Sequence, residues 1–430
     1  MPLINYQLAF AFLWIVVCAA AFFWLLRRGT GPLPALGYAV AAAFFLRLLP
    51  ALFLPRGAEY EMWVFRQTGA LLRAGGDVYT SELAHPYLPL QLYWFAAAGW
   101  LAETIGLSFT FWLKFPSLLA DSALVILVYQ AVSVLGRGAG ARQAAWLYAL
   151  NPVTILVAAY QGQFDAIPLF FLLLAWYFFN SRQRPYHLLL SALALGVAVL
   201  SKTWPVIFLP IAFLRLQNWR ARLAYPLLVG LIPLGAVLLY AWLFPGSLFT
   251  LLRRSLGAGA IPGWWGYSAP LNVFVTLTGL GGNLYQQLVT LGKPAGLLAG
   301  LATILLTWRR RSLYALLLTV LVLFATVPNL GLQSLSWVVP LALIWGVPNR
   351  LGWYVAGVFL HMIVSYWGLH LNQTLYALLP RPDADSIIQL SSLFAWLPIL
   401  IWLVEEGTGR SLFPRWFPSV RRHRDVAPAH

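Results

Sequence analysis

Charged side chains are rare in this sequence, and their positions indicate where chemistry can take place. Only 9% of the 430 residues are charged, and 12 residues are acidic. Five charged residues fall within long apolar runs or at their ends: Arg47, Lys114, Asp121, Asp165 and Lys202. An ionisable group inside a membrane is costly, so such groups pair with one another or belong to a functional site. These five are the first candidates for function.

Two of these residues stand where an apolar run breaks. Asp165 lies in AAYQGQFDAIPLFF, just before a proline, where an Asp can cap the N-terminus of a helix. Lys202, in LSKTWP, either extends toward the membrane surface or pairs with a phosphate or with Asp165. Lys114 and Asp121 share one helix face but are too far apart to pair directly. We expect each of them to bind a group on another helix.

The segment 55–87 is polar in an otherwise apolar chain. It contains His85 and four of the 12 acidic residues: Glu59, Glu61, Asp77 and Glu82. A second polar segment, 245–270, contains Arg253 and Arg254. Functional groups are often carried on such connecting segments, so both are candidate positions for a site.

The first of these segments is predicted to form a helix on the membrane surface, over 59–74. The 100° step between successive residues places Glu59 on the same face as Arg66 and Arg73. Glu61 then lies on a different and more apolar face. We therefore expect an arginine to neutralise Glu59, which leaves Glu61 available as a general base.

The composition excludes several broad classes of protein. The chain is 61% hydrophobic, whereas soluble domains are about 45–50% apolar and about 25% charged. This excludes an ordinary soluble enzyme, a nucleic-acid-binding domain and a disordered chain. The net charge of +16 comes from short basic clusters between apolar runs, a pattern typical of cytoplasmic loops. The lone cysteine, Cys18, excludes a disulfide framework and a Cys metal site.

About thirteen or fourteen apolar runs predict an all-α, polytopic membrane bundle of about 13 transmembrane helices. Placing the arginine clusters in the cytoplasm puts the N-terminus outside and the C-terminus inside, which requires an odd number of spans. The surplus run lies between 88 and 135, so either 88–104 is re-entrant or interfacial, or the division of 88–135 into two runs is wrong. The first run has no preceding basic residues, so it is not expected to be a cleavable signal peptide.

This topology predicts one transmembrane domain over 1–404 and a basic cytoplasmic tail over 405–430. The domain consists of a module at 1–217 and further helices at 218–404. The segments 55–87 and 245–270 then become extracytoplasmic loops, here called the first and second outer loops. The second loop carries its two arginines on the side where positive charge is disfavoured.

Four sequence segments together resemble the GT-C glycosyltransferases, in particular bacterial mannosyltransferases related to the GPI-anchor mannosyltransferases. The first outer loop has Tyr60–Glu61–Met62, a Gly-Gly turn, Tyr79 and Tyr87–Leu88–Pro89–Leu90. The other segments are LNPVTILVAAYQGQFDAIPLFF, LGVAVLSKTWPVIFLP and, more weakly, LGLQSLSWVVPLAL. The first three cover roughly residues 45–215. Two positions differ from the family pattern, because Glu61 replaces an Asp and Ser334 replaces a Tyr.

The resemblance implies an integral membrane enzyme of the plasma or inner membrane with an extracytoplasmic site. It would transfer a hexose, most often mannose, from a polyprenyl-phosphate donor to a lipid, glycan or protein acceptor, with inversion. It implies no nucleic-acid partner and no required cofactor. A divalent cation held by Glu59 and Glu61 stays an alternative.

The residues can be matched to the steps of such a reaction. Glu61 would accept the proton of the acceptor hydroxyl. Positive side chains would stabilise the leaving phosphate, and the candidates are Lys202, Arg253 and Arg254. Polar side chains would bind the sugar or the acceptor, and the candidates are Glu59, Gln163, Asp165 and Gln333. Trp264 and Trp265 would line a groove or anchor the chain at the membrane interface.

Three other functions remain open at this point. A transporter or flippase of lipid-linked sugars would be favoured by inverted repeats and broken helix pairs, and the sequence shows neither. An enzyme of the O-antigen ligase or polymerase type would use a lipid diphosphate donor. A silent relative with a scaffolding role is kept open by the Glu at position 61.

Overall fold

The computed structural model describes residues 2–29, 31–83, 85–181, 183–257, 261–371, 378–414 and 416, and these residues form helices and no β-strand. The first half contains α1 Pro2–Arg28, α2 Leu36–Phe53, α3 Glu59–Arg73, α4 Leu90–Ile105, α5 Phe109–Val134, α6 Gly138–Ala149, α7 Pro152–Ile155, α8 Ala166–Asn180, α9 His187–Ser201 and α10 Phe208–Phe213. The second half contains α11 Trp219–Leu243, α12 Leu248–Gly257, α13 Ser268–Thr278, α14 Gly282–Leu306, α15 Ser312–Thr326, α16 Val338–Trp345, α17 Pro348–Met362 and α18 Arg381–Thr408. The predicted all-α class is confirmed.

Irregular helical turns extend several of these helices. A π-helix, Leu156–Gln161, continues α7, and a second one, Ile363–Leu371, continues α17. Short 3₁₀ turns, Trp204–Ile207 and Leu332–Trp337, precede α10 and α16. π-helical turns are often found at functional sites.

Six of the described helices are long and apolar enough to cross a membrane: α1, α2, α5, α11, α14 and α18. Several other apolar helices have only 10–17 residues, so the predicted number of about 13 spans is not confirmed. The run 88–135 divides into α4, with 16 residues, and α5, with 26. A full crossing needs about 20 helical residues. The helix α4 is shorter than that, and the re-entrant or interfacial position of 88–104 stays a prediction.

Burial separates central from peripheral helices. The most apolar window of α5 is 56% buried, whereas those of α11 and α14 are only 17% buried. The exposed faces of α11 and α14 are rich in leucine, which suits contact with lipid. The helix α5 therefore lies at the centre of the bundle and is placed to support residues from several other elements.

A buried ionic network joins α2, α5 and α6. The Arg47 guanidinium pairs with the Asp121 carboxylate, which also accepts a hydrogen bond from the Tyr148 hydroxyl. Arg47 also donates to the Ala149 carbonyl at 2.9 Å and to the Thr154 hydroxyl at 2.8 Å. The expectation that Asp121 pairs with a group on another helix is confirmed. The network surrounds the break between α6 and α7.

The sequence at this break explains why one helix ends and the next begins. Asn151 accepts hydrogen bonds from the amides of Val153 and Thr154 at 3.0 and 3.2 Å, and so caps α7. Pro152 occupies the first helical position, where its missing N–H costs nothing. The cap fixes the start of the segment that leads to Gln161–Asp165.

Candidate active site

The predicted helix of the first outer loop is present as α3, and its buried side packs against α4 and α5. Phe65 stacks on Phe95 with 4.4 Å between ring centroids. A Cβ atom at Gly69 would lie only 2.5 Å from the Phe95 carbonyl oxygen, so glycine is needed for this close approach. The packing fixes the rotation of α3 and therefore the direction of its acidic residues.

The two glutamates at the start of α3 have different surroundings. Glu59 is exposed, whereas Glu61 is half-buried on the inward side of the helix. Within the described part of the chain, no hydrogen bond or ion pair holds the Glu61 carboxylate. The predicted separation of the two residues onto different faces is confirmed.

The predicted arginine partners of Glu59 are engaged elsewhere. Arg73 donates to Glu103 of α4 at 2.7 Å, and the Arg66 guanidinium lies 5.2 Å from the centroid of the Phe109 ring. The prediction for Arg73 is wrong because helix spacing within α3 takes no account of a carboxylate supplied by α4. The pair Arg73–Glu103 lies at the surface.

A tight turn connects the π-helix Leu156–Gln161 to α8. Gly162 has a φ of +76°, a conformation that favours glycine. Lys114 is fully buried beside this turn and donates to the carbonyls of Leu54 and Arg56 at 3.3 and 2.6 Å. Ser117 donates to the Gln163 carbonyl at 2.8 Å. The central helix α5 thus joins this turn to the start of the first outer loop.

Asp165 is the centre of a buried polar cluster. One carboxylate oxygen accepts a hydrogen bond from Lys202 at 2.7 Å, and the other accepts one from the Trp337 indole at 2.8 Å. The side chain is fully buried and caps no backbone amide, although Asp165 immediately precedes α8. Of the roles considered for Lys202, the structure therefore shows the pair with Asp165.

The ammonium group of Lys202 lies between aromatic rings. It is 5.6 Å from the centroid of Tyr87 and 5.4 Å from that of Phe164. Near it, Trp204 and Trp337 stack with their rings 3.8 Å apart and inclined by 9°. Aromatic faces attract cations and also exclude water, which strengthens the ion pair with Asp165.

Several buried polar atoms on the segments that form this cluster have no hydrogen-bond partner among the described residues. They include the Gln161 side-chain oxygen, both amide atoms of Gln163 and the Trp204 indole nitrogen. Gln161 is 3% exposed and Gln163 is 1% exposed. Leaving buried polar atoms unpaired costs free energy, so these atoms are suited to a polar ligand. Gln333 is half-buried, one turn of 3₁₀ helix before Trp337.

The two candidate arginines of the second outer loop lie on α12. Arg254 donates to the Leu83 carbonyl at 2.6 Å and to the Ser81 carbonyl at 2.5 Å, and thereby holds the first outer loop. Arg253 is exposed. At the end of α11, the Tyr240 hydroxyl donates to Asp77 at 2.8 Å and strengthens the same attachment.

Tyr87 lies where these segments meet, although the sequence suggested no role for it beyond its place in a motif. Its ring is 4.8 Å from that of Phe164 and 6.4 Å from that of Phe65 on α3. Burial, and then the charges of Asp165 and Glu61, raise the pKa of the Tyr87 phenol. Glu61 and Asp165 therefore act on one side chain from two sequence-distant segments.

Other aromatic residues also differ from expectation. Trp265 is 1% exposed and donates to the Phe324 carbonyl at 2.8 Å, so it neither lines an open groove nor anchors the chain at the interface. Trp337 lies in the fourth motif, but 172 positions separate it from Asp165. No local spacing could have linked the two.

The described residues contain no group of three or more His, Cys, Asp or Glu suited to a metal ion.

Comparison with known proteins gives structural likeness only at low similarity. No protein-family model and no curated protein matches the sequence. The apo oligosaccharyltransferase of Archaeoglobus fulgidus is similar over 88% of this chain, with 14% identity and a TM-score of 0.43. The archaeal oligosaccharyltransferase AglB from the same organism, in complex with an inhibitory peptide and a dolichol-phosphate, gives 13% identity and a TM-score of 0.39. The chain covers 56% of the length of each of these structures.

Proposed function

We propose that this protein is a membrane glycosyltransferase that uses a polyprenyl-phosphate-linked sugar. The proposal rests on one observation. The three sequence segments that resemble GT-C enzymes, which are distant in the chain, meet at Tyr87, Asp165 and Lys202. The half-buried Glu61 lies on α3 one turn before Phe65, whose ring centroid is 6.4 Å from that of Tyr87. Such a site combines a base, a cation and unpaired polar atoms, which together suit glycosyl transfer from a phosphate.

Glu61 is the proposed general base. The oxygen of the acceptor hydroxyl forms a bond to the anomeric carbon while its proton passes to Glu61. The bond from that carbon to the phosphate oxygen breaks, and its electron pair leaves with the phosphate. Asp165 is poorly suited to be the base, because both of its oxygens accept hydrogen bonds and the side chain is fully buried.

Positive side chains are proposed to stabilise the leaving phosphate. The Lys202 side chain is 13% exposed while its ammonium group pairs with Asp165. Among the described residues, Arg254 donates to the neutral carbonyls of Leu83 and Ser81 and pairs with no carboxylate. Arg253, next to it, is exposed. Fixed cations of this kind favour the charge that develops on a departing phosphate.

The polar atoms around Asp165 are proposed to bind sugar hydroxyls. A glutamine amide offers both a donor and an acceptor, which suits a pair of neighbouring hydroxyls. Gln163 is the first candidate because both of its amide atoms lack a hydrogen-bond partner in the part of the chain that the structure describes. Gln333 and Glu59 are further candidates, while Asp165 would orient the site through Lys202 and Trp337. Mannose is the proposed sugar, the acceptor is a lipid, glycan or protein, and the site faces the extracytoplasmic side.

The experiment that tests this proposal is sugar transfer in reconstituted vesicles. Labelled polyprenyl-phosphate mannose, and then its glucose and arabinose analogues, would be supplied to the wild type and to Glu61→Gln. We expect Glu61→Gln to lower kcat about 100- to 10,000-fold, as is typical when a general base is removed. The matched control is Glu59→Gln, which changes the other glutamate in the first turn of α3 and should retain much more activity.

Other outcomes separate the rival functions. Transfer that is undiminished in Glu61→Gln would refute the role of the base. Transfer only from a lipid diphosphate donor would favour an enzyme of the ligase or polymerase type. Movement of lipid-linked sugar across the vesicle membrane, without transfer and without dependence on Glu61, would favour a flippase.

A further inference from the structure

The position of Tyr87 is fixed from both outer loops. Its carbonyl accepts a hydrogen bond from the Tyr79 hydroxyl at 2.6 Å and one from the Ser255 hydroxyl of α12 at 3.3 Å. Arg254, beside Ser255, holds the chain at Leu83. Two hydrogen bonds to the Tyr87 carbonyl and one to the Leu83 carbonyl leave the backbone of this segment little freedom. The side chain is therefore preorganised.

The ring of Tyr87 is fixed as well. Phe164 meets it edge-on at 4.8 Å, His85 meets it edge-on at 5.5 Å, and Lys202 lies over it at 5.6 Å. Edge-to-face contacts of this kind restrict rotation of the ring and add to the energy of burial. The hydroxyl group is consequently held at one end of a rigid ring.

The hydroxyl of Tyr87 is suited to donate a hydrogen bond and unsuited to accept a proton. Burial and the negative charges of Asp165 and Glu61 raise the pKa of the phenol, so the group keeps its proton at neutral pH. Among the described residues, no protein atom accepts a hydrogen bond from this hydroxyl. A donor on a ring whose centroid lies 5.6 Å from the Lys202 ammonium group would meet an anionic oxygen favourably.

We propose that the Tyr87 hydroxyl donates a hydrogen bond to the phosphate of the lipid-linked donor, beside Lys202, and strengthens it as the bond to the sugar breaks. Tyr87 keeps its proton throughout, and the electron pair of the broken bond stays on the phosphate oxygen. The inference rests on the proposed function, since it assigns a further residue to the same site. According to this proposal, Tyr87 recognises the phosphate rather than the sugar.

The test removes the hydroxyl and leaves the ring. Tyr87→Phe preserves the contacts with Phe164 and Lys202, so the melting temperature of the purified protein should not change. Removing one preorganised donor to a developing oxyanion lowers kcat about 100- to 1,000-fold, and we expect a fall of this order. The donor KM should change much less. Tyr93→Phe is the matched control, because Tyr93 is 39% exposed and lies outside this cluster.

A binding measurement tests the role of the Tyr87 hydroxyl without requiring sugar transfer. Polyprenyl phosphate and polyprenol, which differ only in the phosphate, would be titrated against wild type and Tyr87→Phe in detergent. We expect Tyr87→Phe to weaken binding of polyprenyl phosphate about tenfold, corresponding to a lost hydrogen bond to a charged group, and to leave polyprenol binding unchanged. Phosphate-selective weakening without any sugar transfer by wild type would support this inference and count against the proposed function.

Two results would overturn the inference. One is wild-type kcat together with wild-type binding of polyprenyl phosphate in Tyr87→Phe. The other is equal weakening of polyprenyl phosphate and polyprenol, which would show that the hydroxyl contributes only to packing.

Discussion

At the scale of single residues, the site contains two carboxylates in different surroundings. One is buried and paired, whereas the other is half-buried and has no partner among the described residues. Asp165 is fully buried and holds Lys202 and Trp337, whereas Glu61 is half-buried and has no such partner among the described residues. Environment therefore gives two chemically similar groups different roles. We propose that the first orients the site and that the second moves a proton.

Removing one partner of the ion pair between Asp165 and Lys202 should destabilise the protein strongly, because the other charge stays buried without a partner. Asp165→Asn keeps an acceptor for Trp337 but leaves the Lys202 charge unpaired, and we expect it to cost about 3–5 kcal/mol. The double variant Asp165→Asn/Lys202→Gln should cost less than the sum of the single changes. Unfolding in detergent would measure both. Arg73→Gln breaks the exposed pair with Glu103 and should have little effect, and equal costs at the two pairs would contradict the prediction.

The buried His85 should make stability depend on pH. Burial lowers its pKa from 6.5 to about 3, so the folded protein keeps it neutral while the unfolded chain takes up a proton below pH 6.5. Its stabilising contribution is thus complete above pH 6.5 and falls as the pH drops toward 3. At pH 5 the loss should be about 2 kcal/mol.

The comparison of wild type with His85→Phe isolates this effect. Phenylalanine suits a position that contacts the rings of Tyr79, Tyr87 and Phe95. Unfolding free energies measured between pH 7 and pH 5 should fall more steeply in the wild type than in the variant. Parallel curves would show that His85 is not protonated on unfolding in this range.

At the scale of helices, local pattern predicted α3 and its acidic faces correctly, but it did not predict what α3 packs against. The helix was expected over 59–74 and is found at Glu59–Arg73. The partner of Arg73 was missed because Glu103 lies on α4, 30 residues further along the chain. Trp337 was missed as a partner of Asp165 for the same reason, although its motif had been recognised. Periodicity describes one helix, whereas a site is assembled from several.

Close contact between α14 and α15 depends on glycine. A Cβ atom at Gly296 would lie 3.0 Å from a methyl group of Val327 and 3.1 Å from the Thr326 hydroxyl. We expect Gly296→Leu to destabilise the protein by about 1–3 kcal/mol through overpacking. In α11, Gly235 has open space around it, so Gly235→Ala should stabilise by about 0.5–1 kcal/mol. Detergent unfolding would compare the two, and effects of the same sign would contradict the packing argument.

At the scale of the whole molecule, the sequence predicted an all-helical membrane protein, and the number of spans is the part that it predicts poorly. Six described helices are long enough to cross a membrane, but several apolar runs form shorter helices broken by 3₁₀ or π turns. Hydropathy records that a segment is apolar. It does not distinguish lipid contact from burial against protein, and helices such as α8 and α15 are largely buried inside the bundle.

The predicted orientation can be tested by cysteine labelling in a variant that lacks the single native cysteine. Cys18 is buried, so Cys18→Ser provides a background for cysteines at exposed positions. In vesicles of known orientation, an impermeant maleimide added outside should label Glu82→Cys and Phe249→Cys on the outer loops. Arg220→Cys and Arg309→Cys should react only after the membrane is opened. Labelling of all four from one side would refute the topology.

The first outer loop is attached to α11 and α12, and this limits how the loop can be exchanged between proteins. Tyr240 and Arg254 hold backbone and side-chain atoms of that loop from segments more than 160 residues away. A graft of residues 55–87 into another protein would lose these hydrogen bonds unless residues 240–255 were transplanted with it. An exchange of the first outer loop therefore requires both segments.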